Sequence, residues 1–326
     1  AKTKMVRVEG ADQLTFTFGT SQYCDDGVEI PELEYCENKT ESQITKIMND
    51  ADEHPPSLPT VSVTLSPFEI DEHEVTNLQY LHCVEVDGCT EPKFGNAGDI
   101  TKYYNRSDGK YDEFPIVSVT WEQAQNYCSI QGKRLPTEYE WELVATMAGT
   151  KTAPWGDSLS DCSGKTVAIK GCNLLLFATG TYGPQRVKTS TDDEVSFGGQ
   201  KVFDMGGNVS EWVEDIYHRF QTCKDEISMN ACDQAAHPNC YSLCPDGANV
   251  DVCNAYPSSE QPLSNPQSKE TGNGDFCFRG GSYAHVMTVT TTAEAPLCSA
   301  RSQDRSQREG AGKTRTYLGF RCARDL

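Results

Sequence analysis

Cysteine is the residue that most limits what this 326-residue chain can fold into. The sequence holds 15 cysteines, spread from Cys24 to Cys322. A reducing cytosol gives so many thiols little use unless they bind metal, and the sequence has no CxxC pair and no zinc-type spacing of cysteines and histidines. We therefore expect disulfides and an oxidising compartment, whether secreted, extracellular or periplasmic. The odd count leaves one thiol unpaired, or bridged to another chain.

Charge restricts the partners that the chain can have. There are 48 acidic and 28 basic residues, which give a net charge of −20. Such a protein repels nucleic acid and anionic membrane surfaces, and it suits cations such as Ca²⁺. No stretch approaches the roughly 20 apolar residues of a membrane helix. No signal peptide is visible and the first residue is Ala1, so we expect a mature chain after cleavage, without a transmembrane segment.

Local patterns predict two strands and three helices. Residues 14–19 and 61–65 alternate apolar and polar side chains, as half-buried strands do. Three threonines are each followed three residues later by Gln or Glu, which is the signature of a capping box at a helix start. The helices are predicted near residues 76–86, 120–131 and 137–147.

Three other stretches lack such patterns. Residues 20–57 are loop-like, the regular pattern fades over residues 157–200, and residues 216–277 hold six cysteines among polar residues. The last stretch is typical of a disulfide-held insertion, because so long a loop needs staples to stay compact. Short spacings predict local disulfides between Cys24 and Cys36, Cys83 and Cys89, and Cys162 and Cys172. Nothing marks a domain boundary, so we expect one domain over residues 1–326.

Several motifs then follow one another in the order of a known family. They are FEIDEHEVTNLQY (68–80), VSVTW (117–121), GKRLPTEYEW (132–141), PWG (154–156), GNVSEW (207–212), FRGGS (278–282) and LGFRC (318–322). Together they resemble the formylglycine-generating enzyme, or sulfatase-modifying factor, family over about residues 5–326. The resemblance implies a single α+β domain of the C-type-lectin-like class, with little regular secondary structure and bound Ca²⁺.

The resemblance also locates the family's active site, which follows the Arg-Gly-Gly-Ser turn at residues 279–282. The enzymes oxidise a substrate cysteine with two copper-binding cysteines, three and eight residues after Ser282. Here those positions are His285 and Thr290. Soft thiolates select Cu(I), and an imidazole with a hydroxyl does not replace two of them. Ser282 and His285 remain candidate pocket residues, and His285 keeps a metal hypothesis open.

A calcium site is the stronger metal candidate. Asp204 and Glu211 flank a Gly-Gly turn, and Ca²⁺ takes carboxylates mixed with backbone carbonyls. By resemblance, the ligands are the side chains of Asp204 and Glu211 and the carbonyls of Gly207 and Val209. The family's second calcium site would begin at Asn173 and the Leu174 carbonyl. It then requires an Asp, and none appears before Asp192.

The resemblance further implies a disulfide between Cys128 and Cys322. Cys298 matches a family disulfide cysteine whose usual partner is Ala145 here, so Cys298 is unpaired or paired elsewhere. Glycosylation sequons occur at Asn38, Asn105 and Asn208, and the last lies inside the calcium motif, so we exclude it. All four tryptophans fall in family motifs, and we expect them in the core.

Two functions remain open on the sequence. The favoured one is a non-catalytic, secreted or cell-surface, Ca²⁺-stabilised module that binds a protein or glycan partner, forms a homo-oligomer, or joins an extracellular assembly. The alternative is a metal-dependent oxidase of the same family with a repurposed site around His285. The absence of the thiol pair favours the first.

Overall fold

The structure is a computed structural model that describes about half of the chain. The described residues are 3–9, 14–18, 22–25, 28–31, 61–92, 109–151, 154–156, 183–216, 263–265, 275–283, 307–310 and 314–326. Only the main chain is described for residues 22–25, 28–31, 61, 216, 263–264, 275 and 307–310. The expected pairs Cys24–Cys36 and Cys162–Cys172 lie outside the residues whose side chains are described.

Short strands and few helices make up this part of the chain. The strands are β1 (Met5–Val8), β2 (Thr15–Phe18), β3 (Gln22–Asp25), β4 (Val28–Pro31), β5 (Val61–Thr64), β6 (Phe68–Asp71), β7 (Glu194–Phe197), β8 (Gln200–Phe203), β9 (Ser210–Ile216), β10 (Leu263–Ser264), β11 (Asp275–Arg279), β12 (Gln307–Gly310), β13 (Leu318–Phe320) and β14 (Ala323–Asp325). The helices are α1 (Asn77–His82), which continues as a π-turn over Cys83–Asp87, α2 (Trp121–Ile130) and α3 (Glu138–Ala145). The α+β class with little regular structure is confirmed.

The strands form several small sheets rather than one large one. The sheet orders are β1-β6-β14, β10-β5-β2 and β12-β11-β9-β13, with β3-β4 and β7-β8 as two-stranded pairs. Most neighbours run antiparallel, and β9 with β13 and β10 with β5 are parallel. Because no sheet is wide, contacts between side chains must hold the sheets to one another.

Each of the three helices begins where its capping box predicts. The hydroxyls of Thr76, Thr120 and Thr137 accept from the amide three residues on at 3.1 to 3.3 Å. The Gln or Glu at that position accepts in return from the threonine amide at 2.9 to 3.0 Å. Two amides that a helix start leaves without partners are thereby satisfied, which confirms the predicted helix starts.

The irregular stretch expected over residues 157–200 contains an element that the prediction missed. Strands β7 and β8 form a hairpin around Gly198 and Gly199, whose φ angles are 55° and 77°. Two successive glycines with positive φ are typical of a two-residue hairpin turn. The alternation of Val195 and Phe197 on the strand before the glycines was the available signal.

Aromatic side chains dominate the core, as predicted for the four tryptophans. Trp141 and Trp212 are fully buried, and Trp121 and Trp155 are less than a tenth exposed. Trp141 lies in the cluster between α3 and strands β1, β2, β5 and β6, whereas Trp212 lies in the cluster between α2 and β13. The indole of Trp212 donates to the Val119 carbonyl at 3.1 Å, so its polar atom is satisfied.

Two expected disulfides are present. Cys83 and Cys89 close the π-turn after α1, and Cys128 on α2 bonds to Cys322 beside β14. The second bond closes a loop with a sequence separation of 194 and stabilises the fold by about 5 kcal/mol in the chain-entropy account. Both bonds fit an oxidising compartment.

The segment expected as a cysteine-rich insertion leaves and re-enters the fold at adjacent positions. Ile216 ends β9 and pairs with Phe276 of the antiparallel neighbour β11. Cys277 belongs to β11 itself and is buried in the core. The segment therefore begins and ends at two neighbouring strands, and within it Leu263–Ser264 form β10, which pairs with β5 of another sheet. Within the described ranges no helix has the length and apolar content to cross a bilayer.

We predict that Lys133→Met destabilises the fold by about 3–5 kcal/mol near pH 7, because it strands a buried carboxylate. Lys133 Nζ lies 2.5 Å from Oδ1 of Asp71, and both side chains are almost completely buried. Burial raises the pKa of Asp71 to about 6, above its usual value, despite Lys133. Because Lys133 lowers this pKa, its removal raises the pKa of Asp71 further, so the variant should regain stability relative to wild type as the pH falls from about 7 towards about 6, below which Asp71 is protonated in both proteins.

Urea unfolding at about pH 7 and about pH 5 checks this. In an Asp71→Asn background the same lysine substitution should cost less, and its cost should not depend on pH. A loss that is equal at both pH values with Asp71 present would contradict the prediction.

Candidate metal centre

The turn between β8 and β9 brings the four predicted calcium ligands into one buried place. Asp204, Gly207, Val209 and Glu211 are all buried. β9 pairs with β11 on one side and β13 on the other, and Glu211 lies opposite Arg279 and Gly319. The carboxylate of Glu211 therefore projects from the interior of a sheet, which fixes its position.

Glu211 binds a buried arginine. Arg321 follows β13 directly, and its Nε and Nη2 donate to Oε2 and Oε1 of Glu211 at 2.7 and 2.6 Å. The indole of Trp141 donates to Oε2 at 2.8 Å. Such a two-bond pair between planar groups fixes orientation as well as distance.

The backbone conformation of Asp204 and two hydrogen bonds fix its position. Its φ is 58°, in the left-handed region that Asp and Asn adopt more readily than most residues. Oδ2 accepts from the Lys188 amide at 2.6 Å, and its carbonyl accepts from Nη2 of Arg321 at 3.1 Å. The strained backbone places a buried carboxylate beside the guanidinium that binds Glu211.

Two further buried carboxylates belong to this cluster, and the sequence prediction missed both. Oδ1 of Asp193 accepts from the Gly206 amide at 2.9 Å. Its Oδ2 has no hydrogen-bond partner among the described residues, and the same holds for both carboxylate oxygens of Glu74. Glu74 is fully buried and Asp193 is 1% exposed. Buried polar groups without partners are rare, and each needs a physical explanation.

The cluster holds more acidic than basic side chains. Glu74, Asp193, Asp204 and Glu211 supply four carboxylates, and Arg321 supplies one guanidinium. Burial and then Asp193 raise the pKa of Asp204 to about 8. Burial raises the pKa of Asp193 to about 6, and burial with Asp204 raises the pKa of Glu74 well above its usual value. Four acids in a dry interior require protons or a cation.

The donor chemistry of this cluster suits calcium. Ca²⁺ takes six to eight oxygen ligands, and the turn offers carboxylates together with main-chain carbonyls. The orphaned oxygens of Glu74 and Asp193 are further donors. Within the described part of the chain no three acidic, histidine or cysteine side chains already converge as a metal cluster. The donor types are those that Ca²⁺ takes, and an ion held by Asp204 and Glu211 with the carbonyls of Gly207 and Val209 stays a prediction.

Asn208, the sequon residue inside the turn, has a structural role. Its side chain is 2% exposed, and Oδ1 accepts from the Gln185 amide at 2.8 Å. Its carbonyl accepts from the Tyr283 amide at 2.9 Å. A buried amide with these bonds is not available to a glycosyl donor, which agrees with its exclusion as a glycosylation site. Asn38 and Asn105 lie outside the described residues.

The Arg-Gly-Gly-Ser turn packs directly against the candidate metal turn. The Gly281 amide donates to the Gly206 carbonyl at 3.2 Å, and Ser210 Oγ donates to the Gly280 carbonyl at 2.9 Å. Gly280 has a φ of 82°, and a Cβ there would lie 3.0 Å from Trp141, so glycine is required. Ser282 is fully buried.

Arg279, directly before the two glycines of the turn, is buried in an ion pair. Arg279 forms a fully buried ion pair with Glu142 and lies 5.6 Å from the ring centres of Phe18 and Trp141. The remaining candidate positions all lie outside the described residues: His285, Thr290, Cys298, Asn173 and Leu174. The second calcium site and the pocket around His285 stay predictions.

A family model for the sulfatase-modifying factor enzyme 1-like domain matches residues 26–326. The chain belongs to this family. Formylglycine-generating enzyme from Streptomyces coelicolor is 26% identical over 310 residues, which cover 82% of this chain and 81% of that enzyme. Inactive C-alpha-formylglycine-generating enzyme 2 from Bos taurus is 35% identical over 107 residues, 32% of this chain and 34% of that protein.

One further relative is a much longer protein, and one solved structure shares the fold at low sequence identity. Serine/threonine-protein kinase pkn1 from Chlamydia caviae is 31% identical over 175 residues, 51% of this chain, and the match spans only a quarter (25%) of the kinase. The solved structure of PvdO from Pseudomonas aeruginosa aligns with a TM-score of 0.53 at 19% identity, over 99% of this chain and 94% of that one. This likeness shows that the chain has the fold of the sulfatase-modifying factor family.

We predict that Arg321→Met destabilises the fold by about 3–5 kcal/mol, because it leaves Glu211 buried beside three other acids without their shared guanidinium. Denaturant unfolding at neutral pH measures the loss.

Arg324→Met is the matched control, three residues further on. Arg324 pairs with Glu69, and its side chain is 51% exposed, so its substitution should cost less than about 1 kcal/mol. Losses of similar size in the two variants would show that the buried carboxylates do not depend on Arg321.

Proposed function

We propose that this protein is a non-catalytic, calcium-stabilised member of the sulfatase-modifying factor family that works by binding a protein or glycan partner, or by assembling with other extracellular chains. The non-catalytic assignment depends on which residues occupy the two positions where the family enzymes have their copper-binding cysteines. They hold His285 and Thr290, which cannot form the bis-thiolate copper site that the resemblance implies for the enzymes. The similarity to an inactive family member supports this choice.

The way the Arg-Gly-Gly-Ser turn is packed also supports a structural use. Arg279 and Ser282 are buried, and the turn bonds to the candidate metal turn through main-chain amides and carbonyls. These bonds between described residues are those of a scaffold, and the proposal uses the turn in that role.

The calcium part rests on the four buried carboxylates around Arg321. A divalent cation would neutralise the surplus negative charge and supply partners to the orphaned oxygens. Secretion or surface exposure is part of the same proposal, since extracellular calcium and an oxidising compartment favour the disulfides and the ion together.

Two measurements on the purified full chain test the loss of activity. The protein should not convert a peptide containing Cys-x-Pro-x-Arg to the aldehyde, and its metal content should be calcium without stoichiometric copper or iron. Conversion of the peptide would overturn the non-catalytic assignment. A redox metal at one per chain that disappears in His285→Ala would establish the oxidase alternative instead.

We predict that removal of calcium with a chelator lowers the melting temperature by about 5 °C. An ion present at 100 times its Kd stabilises the folded state by about 2.7 kcal/mol, and about 2 °C per kcal/mol is expected for a chain of this size. Calorimetry in chelator and after calcium is restored measures the shift. Added Mg²⁺, which requires a smaller octahedral site, is the control and should restore less of the loss. An unchanged melting curve in the chelator would overturn the calcium site.

A further inference from the structure

A cavity opens between the connection from β5 to β6, the start of α3 and strand β14. Its volume is about 620 Å³, within the range of roughly 300–1,000 Å³ that ligand pockets occupy. Among the described residues that line it, none belongs to the metal turn or to the Arg-Gly-Gly-Ser turn. This space, the Arg134 cavity, is therefore separate from the sites described above.

Arg134 forms one wall of the cavity, and its guanidinium is fully bonded. Nη1 donates to Oε2 of Glu140 and to the Leu135 carbonyl at 2.7 and 3.0 Å, and Nη2 donates to Oε1 of Glu140 at 2.7 Å. Nε and Nη2 donate to Oδ1 of Asp325 at 3.0 and 2.5 Å. These bonds use every N–H of the guanidinium, so Arg134 holds the wall in place and has no donor left for a ligand.

A pair of polar residues fixes another wall. The Ser66 amide donates to Oδ1 of Asn265 at 2.6 Å, and Nδ2 of Asn265 donates to Oγ of Ser66 at 2.9 Å. The Asn265 amide also donates to the Thr64 carbonyl at 2.9 Å. Because bonds within the protein hold both walls, the cavity is formed before any ligand enters, which lowers the cost of binding.

The lining has more acidic than basic side chains. Glu140, Glu214 and Asp325 face one base, Arg134, and Glu140 neutralises that base because both of its oxygens accept from it. Oε2 of Glu214 lies 3.9 Å from Nη1 of Arg134, too far for a hydrogen bond between the two. Both bonds from Arg134 to Asp325 end on Oδ1, and the Asp325 side chain is 81% exposed. Glu214 and Asp325 therefore give the lining a surplus of negative charge.

We propose that the Arg134 cavity receives the lysine or arginine side chain of a protein partner. The aliphatic part of that side chain would contact Leu65, Pro67 and Phe68, which also line the cavity, and its charged end would lie at Glu214 and Asp325. Lysine and arginine combine an apolar stem with a cationic end, and the lining combines apolar side chains with surplus carboxylates in the same way.

The charge of the whole chain favours the same partner. A net charge of −20 attracts a basic protein surface at long range and repels an acidic one. An acidic ligand would also meet two carboxylates and a guanidinium whose donors are all in use. The inference deepens the proposed function, because it names the chemistry of the partner that the non-catalytic module binds.

Binding of short blocked peptides to the full chain, in buffer that contains calcium, tests the proposal. The peptides are acetyl-Gly-X-Gly-amide in which X is lysine, arginine, Nε-acetyl-lysine or glutamate, and ligand-detected NMR titration gives each Kd. We expect the lysine or the arginine peptide to bind about fivefold more tightly than the acetyl-lysine peptide, which keeps the stem and loses the charge. The lysine and arginine arms show which cation the cavity prefers.

Glu214→Gln and Asp325→Asn remove the two surplus charges and keep the side-chain shapes. Each should weaken binding of the basic peptide about three- to fivefold, the loss of one partly exposed ion pair. Glu113→Gln is the matched control, because Glu113 is 61% exposed, pairs with Arg186 and does not line the cavity. It removes the same charge from the chain and should leave the Kd within about 1.5-fold.

Several results would overturn the inference. They are equal Kd values for the lysine and acetyl-lysine peptides, tighter binding of the glutamate peptide, and equal weakening by Glu113→Gln, which would show only general attraction to an acidic chain. If Glu214→Gln does not fold, an unchanged Kd in the exposed variant Asp325→Asn is sufficient to overturn it. None of these results affects the non-catalytic assignment, which conversion of the Cys-x-Pro-x-Arg peptide and metal content test separately.

Discussion

The buried guanidinium of Arg321 is the contact on which the arrangement of the sheets depends. Its Nε and Nη2 bind Glu211 in the four-stranded sheet, and Nη2 also donates to the carbonyls of Phe203 and Asp204 at the end of the β7–β8 hairpin. Nη1 donates to the Asp71 carbonyl at the end of β6, in a third sheet. One planar cation thus connects three sheets that share no hydrogen-bonded strand pair. Strands of three to seven residues do not orient such sheets by themselves.

The same centre connects the candidate metal turn to the Arg-Gly-Gly-Ser turn of the family. The metal turn and the Arg-Gly-Gly-Ser turn bond to each other through Gly206 and Gly281, and Trp141 packs against Gly280 while its indole binds Glu211. The geometry of one turn therefore constrains the other.

Local chemistry made much of this structure predictable from sequence. The three capping boxes, the two disulfides and the burial of the tryptophans follow from spacings within a few residues or from the order of the motifs. The β7–β8 hairpin was missed because its two glycines lie in a stretch rich in Gly, Thr and Ser. Two more glycines in such a stretch do not mark a turn clearly. The calcium roles of Asp204 and Glu211 come from the family resemblance and stay a prediction, whereas the structure shows that both acids are buried close to Arg321.

The position of Glu74 and Asp193 near Asp204 could not be predicted from the sequence, for a different reason. They are far from the turn in sequence, and an acid whose carboxylate lacks a partner leaves no pattern of complementary residues to recognise. Their proximity to Asp204 depends on how separate sheets meet, which only the tertiary structure reveals. Burying four acids around one arginine is costly in the absence of a counter-ion, and hydrophobic packing of similar volume would usually serve stability better. Protons on the acids with raised pKa values, such as Asp204, lower this cost, and the cation proposed for this junction would lower it in the same way.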